Sequence, residues 1–108
     1  KEMRLENVEV PPGREVRACA QDVMGAKILV VWIYSSQPGV AVFEYLSRDQ
    51  SIVFEETDQI PLEPGKYTRC QFGTYGAMKL PAMYLGLRIR NTSSQASRVT
   101  AHGMTQLQ

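Results

Sequence analysis

The chain has one histidine and two cysteines in 108 residues. A zinc centre or a catalytic imidazole would need carboxylate or thiol partners, and no CxxC pair is present. Long apolar runs are also lacking. The longest, Ile28 to Ile33, falls far short of the roughly 20 residues a membrane helix needs. Neither sign of charge dominates: 12 basic against 11 acidic residues leave a formal charge of +1, so no global field draws the chain to nucleic acid or an anionic bilayer. Phosphate-loop glycine patterns are missing, since Gly73, Gly76 and Gly86 precede no helical periodicity. What is present is ordinary globular material for one domain spanning residues 1–108, 44% hydrophobic and 21% charged. The opening Lys1-Glu2-Met3-Arg4, without an initiator Met or an apolar leader, reads as a domain excised from a larger protein.

Periodicity of two runs through most of the chain and no helical stripe is sustained, which predicts an all-β fold. Ile28 to Tyr34 is apolar on both faces and rich in β-branched and aromatic residues, as in a central strand covered on both sides, with Trp32 in the core. Val40 to Leu46 reads as another interior strand. The segments around Val16 and Ala18, and Ile52-Val53-Phe54, read as strands nearer an edge. Three Pro-Gly pairs, Pro12-Gly13, Pro38-Gly39 and Pro64-Gly65, suit type II turns at corners and sheet-to-sheet crossings. The expected fold is a jelly-roll-like antiparallel β-sandwich of about eight strands. Its core should hold Leu29, Val31, Ile33, Val42, Leu85, Leu87 and Ile89.

Met83, Leu85, Leu87 and Ile89 alternate with Tyr84, Gly86, Arg88 and Arg90. After a polar reversal over 91–97, Val99, Ala101 and Gly103 alternate with Arg98, Thr100 and His102. These segments predict a terminal hairpin pairing Ile89 with Val99, which sets Arg90 opposite Arg98. Like charges so placed repel. Three readings remain: an intramolecular carboxylate such as Glu15 or Glu44 neutralises them, the two long side chains splay into water, or Arg88, Arg90 and Arg98, with His102 at the margin, form an anion-binding patch for a partner's carboxylate or phosphate or for a lipid headgroup.

No nucleophile with its base, metal shell or cofactor motif is recognisable, so neither an enzyme nor a cofactor is expected. The Glu55-Glu56-Asp58 cluster reads as a solvated loop. Trp32, Phe43, Tyr45 and Phe54 are assigned to strands, leaving Tyr75 and Tyr84 as candidate free rings, with core or edge packing read for both ahead of that role. Cys19 and Cys70 read as two thiols, with one bridge as the alternative. Asn91-Thr92-Ser93 fits a glycosylation pattern but also a turn.

The order of segments resembles the GOLD domain family. The residues that carry this are Val8 to Val16 with its Pro-Gly corner, the Trp-bearing strand Leu29 to Tyr34, the turn Ser35 to Gly39, the strand Val40 to Phe43, and the ending Ile89-Arg90-Asn91-Thr92-Ser93. Arg90 departs from the pattern, standing where the family usually has an acidic residue. The loop also lacks the family's frequent aromatic, and no cysteine lies near this hairpin. The resemblance implies a non-catalytic adaptor on the cytoplasmic face of Golgi or vesicle membranes, binding proteins or in some members a membrane surface. Binding through an exposed edge strand or the Pro-Gly loops is expected, and edge pairing would also make a homodimer. The competing expectation is a lumenal or extracellular sandwich that recognises a glycan or a cell-surface protein.

Overall fold

The computed structural model describes residues 2–73 and 84–107; Tyr75 and Met83 lie outside them. Nine strands run through it: β1 (Arg4–Val10), β2 (Glu15–Asp22), β3 (Ala26–Ser35), β4 (Gly39–Leu46), β5 (Val53–Glu56), β6 (Ile60–Leu62), β7 (Lys66–Gly73), β8 (Tyr84–Asn91) and β9 (Ser97–Leu107). All pairings are antiparallel. Sheet A has the order β1-β9-β3-β7. Sheet B has the order β2-β8-β4-β5, with β6 also on β4. The expected β-sandwich is therefore the observed architecture.

Alternation determines which side chains face inward. From sheet A come Leu29, Val31, Ile33, Cys70, Phe72, Val99 and Ala101; from sheet B come Ala41, Phe43, Leu85, Leu87 and Ile89. Phe43 and Phe72 join the two layers edge to face, with ring centroids 4.8 Å apart. Val42 is also buried, at 4% exposure, but it belongs to the opposite face of β4. There it lies directly across from Arg88 rather than in the inter-sheet core where it was expected.

Three expectations need correction. First, β8 and β9 do not form a hairpin. Ile89 pairs with Val16 and Ala41 in sheet B, and Val99 with Val8 and Ser35 in sheet A. Their connection crosses between layers, and buried Asn91 fastens it: its Nδ2 donates to the carbonyls of Val10 (2.9 Å) and Gln95 (2.7 Å), and its Oδ1 accepts from the Ser93 backbone N–H (2.9 Å). The glycosylation nitrogen is thus engaged in the corner, as the turn reading requires. Second, β3 is central in its sheet but, among the described residues, covered on one side only, so Trp32 faces outward and is 38% exposed. Third, all three Pro-Gly sites join one sheet to the other, yet positive φ is found at Gly13 (70°) and Gly65 (77°) and not at Gly39. Gly39 serves close approach instead, because a Cβ there would sit 2.7 Å from the Arg90 carbonyl oxygen.

Cys19 is exposed, Cys70 is buried, and both are free. Burial pushes the Cys70 thiol up to about 11, so it stays protonated and unreactive.

The β4–β5 turn is organised by Asp49, whose Oδ1 accepts from Ser51 Oγ (2.7 Å), Ser47 Oγ (2.8 Å) and Ser51 N (3.0 Å). The Ser51 and Ser47 hydroxyls lead in holding its carboxyl down at about 2. Because this folded value lies below the ordinary carboxyl range, the ionised group supports the turn at pH above about 4, and that support is lost as pH falls toward 2. An NMR titration of the Asp49 carboxyl carbon is expected to show its midpoint near 2. A midpoint near 4 would show that these bonds do not hold in solution.

Candidate functional site

The outer face of sheet B carries an ion-pair network built by register. Arg17 of β2 lies across from Arg88 of β8, and Val42 across from Arg88 on the other side. Two arginines so placed would repel, and carboxylates from three strands separate them. Arg88 reaches Glu56 (3.0 Å), Glu15 (3.2 Å) and Glu44 (3.5 Å), and Arg17 also binds Glu44. The Glu44 side chain is only 3% exposed, so its charge depends on these partners. Partial burial works against the Arg88 charge, but the Glu15 hydrogen bond and the charges of Glu56, Glu15 and Glu44 outweigh it and raise its pKa.

The anion patch expected from Arg88, Arg90, Arg98 and His102 is not assembled. Arg88 and Arg90 stand on β8 in sheet B, Arg98 and His102 on β9 in sheet A, so they point to opposite sides of the sandwich. Arg98 has Glu9 at 3.3 Å and donates to the Asn7 carbonyl at 3.1 Å. His102 Nε2 is 3.6 Å from Glu2. Arg90 lies across from Glu15 and Val40 and, among the described residues, has no carboxylate within 4 Å. The patch required β8 paired with β9, and the layer crossing removes that pairing.

The outer face of sheet A has a different character. One cross-strand row holds Arg4, His102, Trp32 and Arg69, and the next holds Thr100, Tyr34 and Tyr67. Trp32, Tyr67, Thr100 and His102 line an open depression of about 400 Å³. The Arg69 guanidinium sits 5.7 Å from the Trp32 ring centroid, a cation–π distance. Tyr34 and Tyr67 are 5.4 Å apart and tilted at 52°, which orients the largely exposed Tyr67 ring. Thr100 Oγ1 accepts the Asn7 backbone N–H at 3.1 Å, leaving its own hydrogen to point elsewhere. Tyr84, for which packing was read ahead of a free ring, is partly buried.

Sequence reasoning missed this site because Val30, Trp32 and Tyr34 are as apolar as their inward neighbours. The available signal was the flanking strands: Tyr67, Arg69 and Gln71 on β7, and Arg98, Thr100 and His102 on β9, alternate with core residues. A face bordered by such rows is not covered by another layer.

Apolar side chains are also exposed at Ile52, Val53 and Phe54, on the β5 edge. The register shift between Tyr45↔Glu55 and Leu46↔Val53 leaves Phe54 as a bulge, and Glu55 and Glu56 follow it. Bulge and charge together blunt this edge for strand pairing. Among the described residues no group of three or more His, Cys, Asp and Glu could hold a metal ion, and no helix is long and apolar enough to cross a membrane.

The fold and this face define a β-sandwich with an exposed aromatic platform. No family model and no curated protein matches the chain. Among solved structures it is similar to a de novo designed double-stranded beta-helix determined by solution NMR, with a TM-score of 0.52 and 22% identity over 96% of this chain and 99% of that one. At that identity the likeness concerns the fold alone.

Proposed function

We propose that the chain is a non-catalytic protein-interaction domain, an adaptor of the kind the GOLD resemblance implies, acting at the cytoplasmic face of Golgi or vesicle membranes. It engages its partner through the outer face of sheet A. The observation that carries this reading is Trp32: the sole tryptophan of the chain stands 38% exposed at the centre of a sheet, beside the exposed Tyr67. Tryptophan and tyrosine supply much of the binding energy of protein interfaces, because they bury large areas at low entropic cost. A contact of that quality contributes about 2 kcal/mol or more.

The lumenal alternative drew on a Cys19–Cys70 bridge and a glycosylated Asn91; the cysteines are free and the Asn91 amide is buried in a corner. The anionic-headgroup reading drew on the arginine patch, which is not assembled.

The test is capture from Golgi-enriched extract, identification of the bound protein by mass spectrometry, and reconstitution with that protein purified. Tyr67→Ala is expected to weaken the reconstituted complex by about 30-fold, while Arg90→Ala on the opposite side leaves it unchanged. Equal binding by wild type and Tyr67→Ala would exclude this face as the partner site.

A further inference from the structure

Resting on that reading of the sheet A face, we infer that the Trp32–Tyr67 depression receives a proline-rich segment of the partner in polyproline II conformation, with an acidic residue seated on Arg69. The hydrogen-bonding inventory of the depression leads to this ligand. Among the described residues, no protein acceptor takes the Trp32 indole N–H or the Tyr67 hydroxyl, and the Thr100 hydroxyl hydrogen is free to donate because its oxygen already accepts from Asn7. The lining residues Trp32, Tyr67, Thr100 and His102 include no carboxylate and no side-chain amide. The site therefore offers donors between aromatic planes and few acceptors. A proline-rich chain is the complementary ligand, since each proline presents a carbonyl and no N–H. Such chains dock in aromatic-lined grooves with little ordering cost, because the polyproline II helix is already formed.

Dimensions agree with this. The depression crosses β7, β3 and β9, two inter-strand spacings or about 10 Å. One polyproline II turn of three residues is about 9 Å long. A sugar fits less well: its hydroxyls donate as well as accept and seek carboxylates and amides, of which the described lining residues have none.

Charge supplies the second element of specificity. On this face Arg4 is matched by Glu6 at 2.7 Å and Arg98 by Glu9 at 3.3 Å. Arg69, across from Trp32, has no carboxylate within 4 Å among the described residues. An acidic side chain next to the prolines completes it, and an exposed pair of this kind changes affinity by about threefold to fivefold.

Trp32 makes the experiment direct, because the only tryptophan of the chain lies in the site and its emission reports occupancy. The domain is titrated with the peptide Pro-Pro-Leu-Pro-Pro-Glu, with the same peptide ending in Lys, with an analogue having alanine at every proline, and with an N-acetylglucosamine trimer. Expected are a saturable emission change with the Glu peptide, binding about threefold to fivefold weaker for the Lys peptide, a reversed preference in Arg69→Glu, and no response to the alanine analogue or the trimer. Arg69 and Tyr67 are exposed, so Arg69→Glu and Tyr67→Ala test the site without disturbing the core. Absence of a saturable response to the Glu peptide, a response to the trimer instead, or an unchanged preference in Arg69→Glu would each overturn the inference. Should the reconstituted partner need Tyr67 while the proline peptides give nothing, the ligand class fails and the face stands. A partner indifferent to Tyr67 removes both.

Discussion

Phe43→Ala is expected to destabilise the domain by about 3–5 kcal/mol, the range for emptying a fully buried aromatic position. Phe43 is 0% exposed and is the sheet B half of the edge-to-face pair with Phe72 of sheet A. Removing it opens a cavity between layers whose strands are held in register by backbone hydrogen bonds and cannot collapse to fill it. Urea unfolding should show a midpoint about 1–5 M lower than wild type, given slopes of 1–3 kcal/mol per molar for small proteins. A loss below about 1 kcal/mol would mean that the sheets do not meet through this pair. Phe43→Leu, which keeps most of the volume, should recover over half of the deficit.

Arg88→Ala is expected to cost about 2–4 kcal/mol at pH 7, although the residue lies on the outside of sheet B. Its guanidinium serves Glu15, Glu44 and Glu56 together, and Glu44 is left with Arg17 alone when it goes. Stranding a buried charge, more than losing a favourable pair, sets the magnitude. Arg88→Met, which keeps a long apolar stem across from Val42, separates charge from packing. If Met restores stability fully, the network contributes nothing and packing alone accounts for the loss.

Face was legible in the strands that alternate cleanly, such as β8, and neighbour was not. Period-two alternation turned Leu85, Leu87 and Ile89 toward the core, while in the doubly apolar β3 it set no face, although Leu29, Val31 and Ile33 were rightly placed in the core. It also marked β2 and β5 as edge strands. But alternation says nothing about which strand lies alongside, and a short polar connection such as 92–96 can reverse within a sheet or cross between sheets with equal ease. Asn91 decides for crossing by tying the corner to β1 through the Val10 carbonyl, a contact between residues 81 apart in the chain that no local pattern announces. Glu15 and Glu44 do neutralise an arginine of β8, but it is Arg88, while Arg90, although across from Glu15, has neither carboxylate within 4 Å. Trp32 was misplaced for a related reason: the continuous apolar run of β3 is shared by strands covered on both sides and by strands with one recognition face.

The strand order of sheet A also bears on when the domain can fold. Its central strand β3 is held on one side by β7 and on the other by β9, while β1, from the start of the chain, pairs only with β9. During synthesis the early strands therefore wait for the last one, and β3 stays half unpaired until β9 leaves the ribosome. With nearly every pairing closing a long loop, folding belongs to the slow, millisecond-to-second regime of non-local β proteins. Through that interval the apolar segment Ile28 to Tyr34 keeps one edge unpaired, the kind of exposure that makes a partly folded chain prone to aggregate.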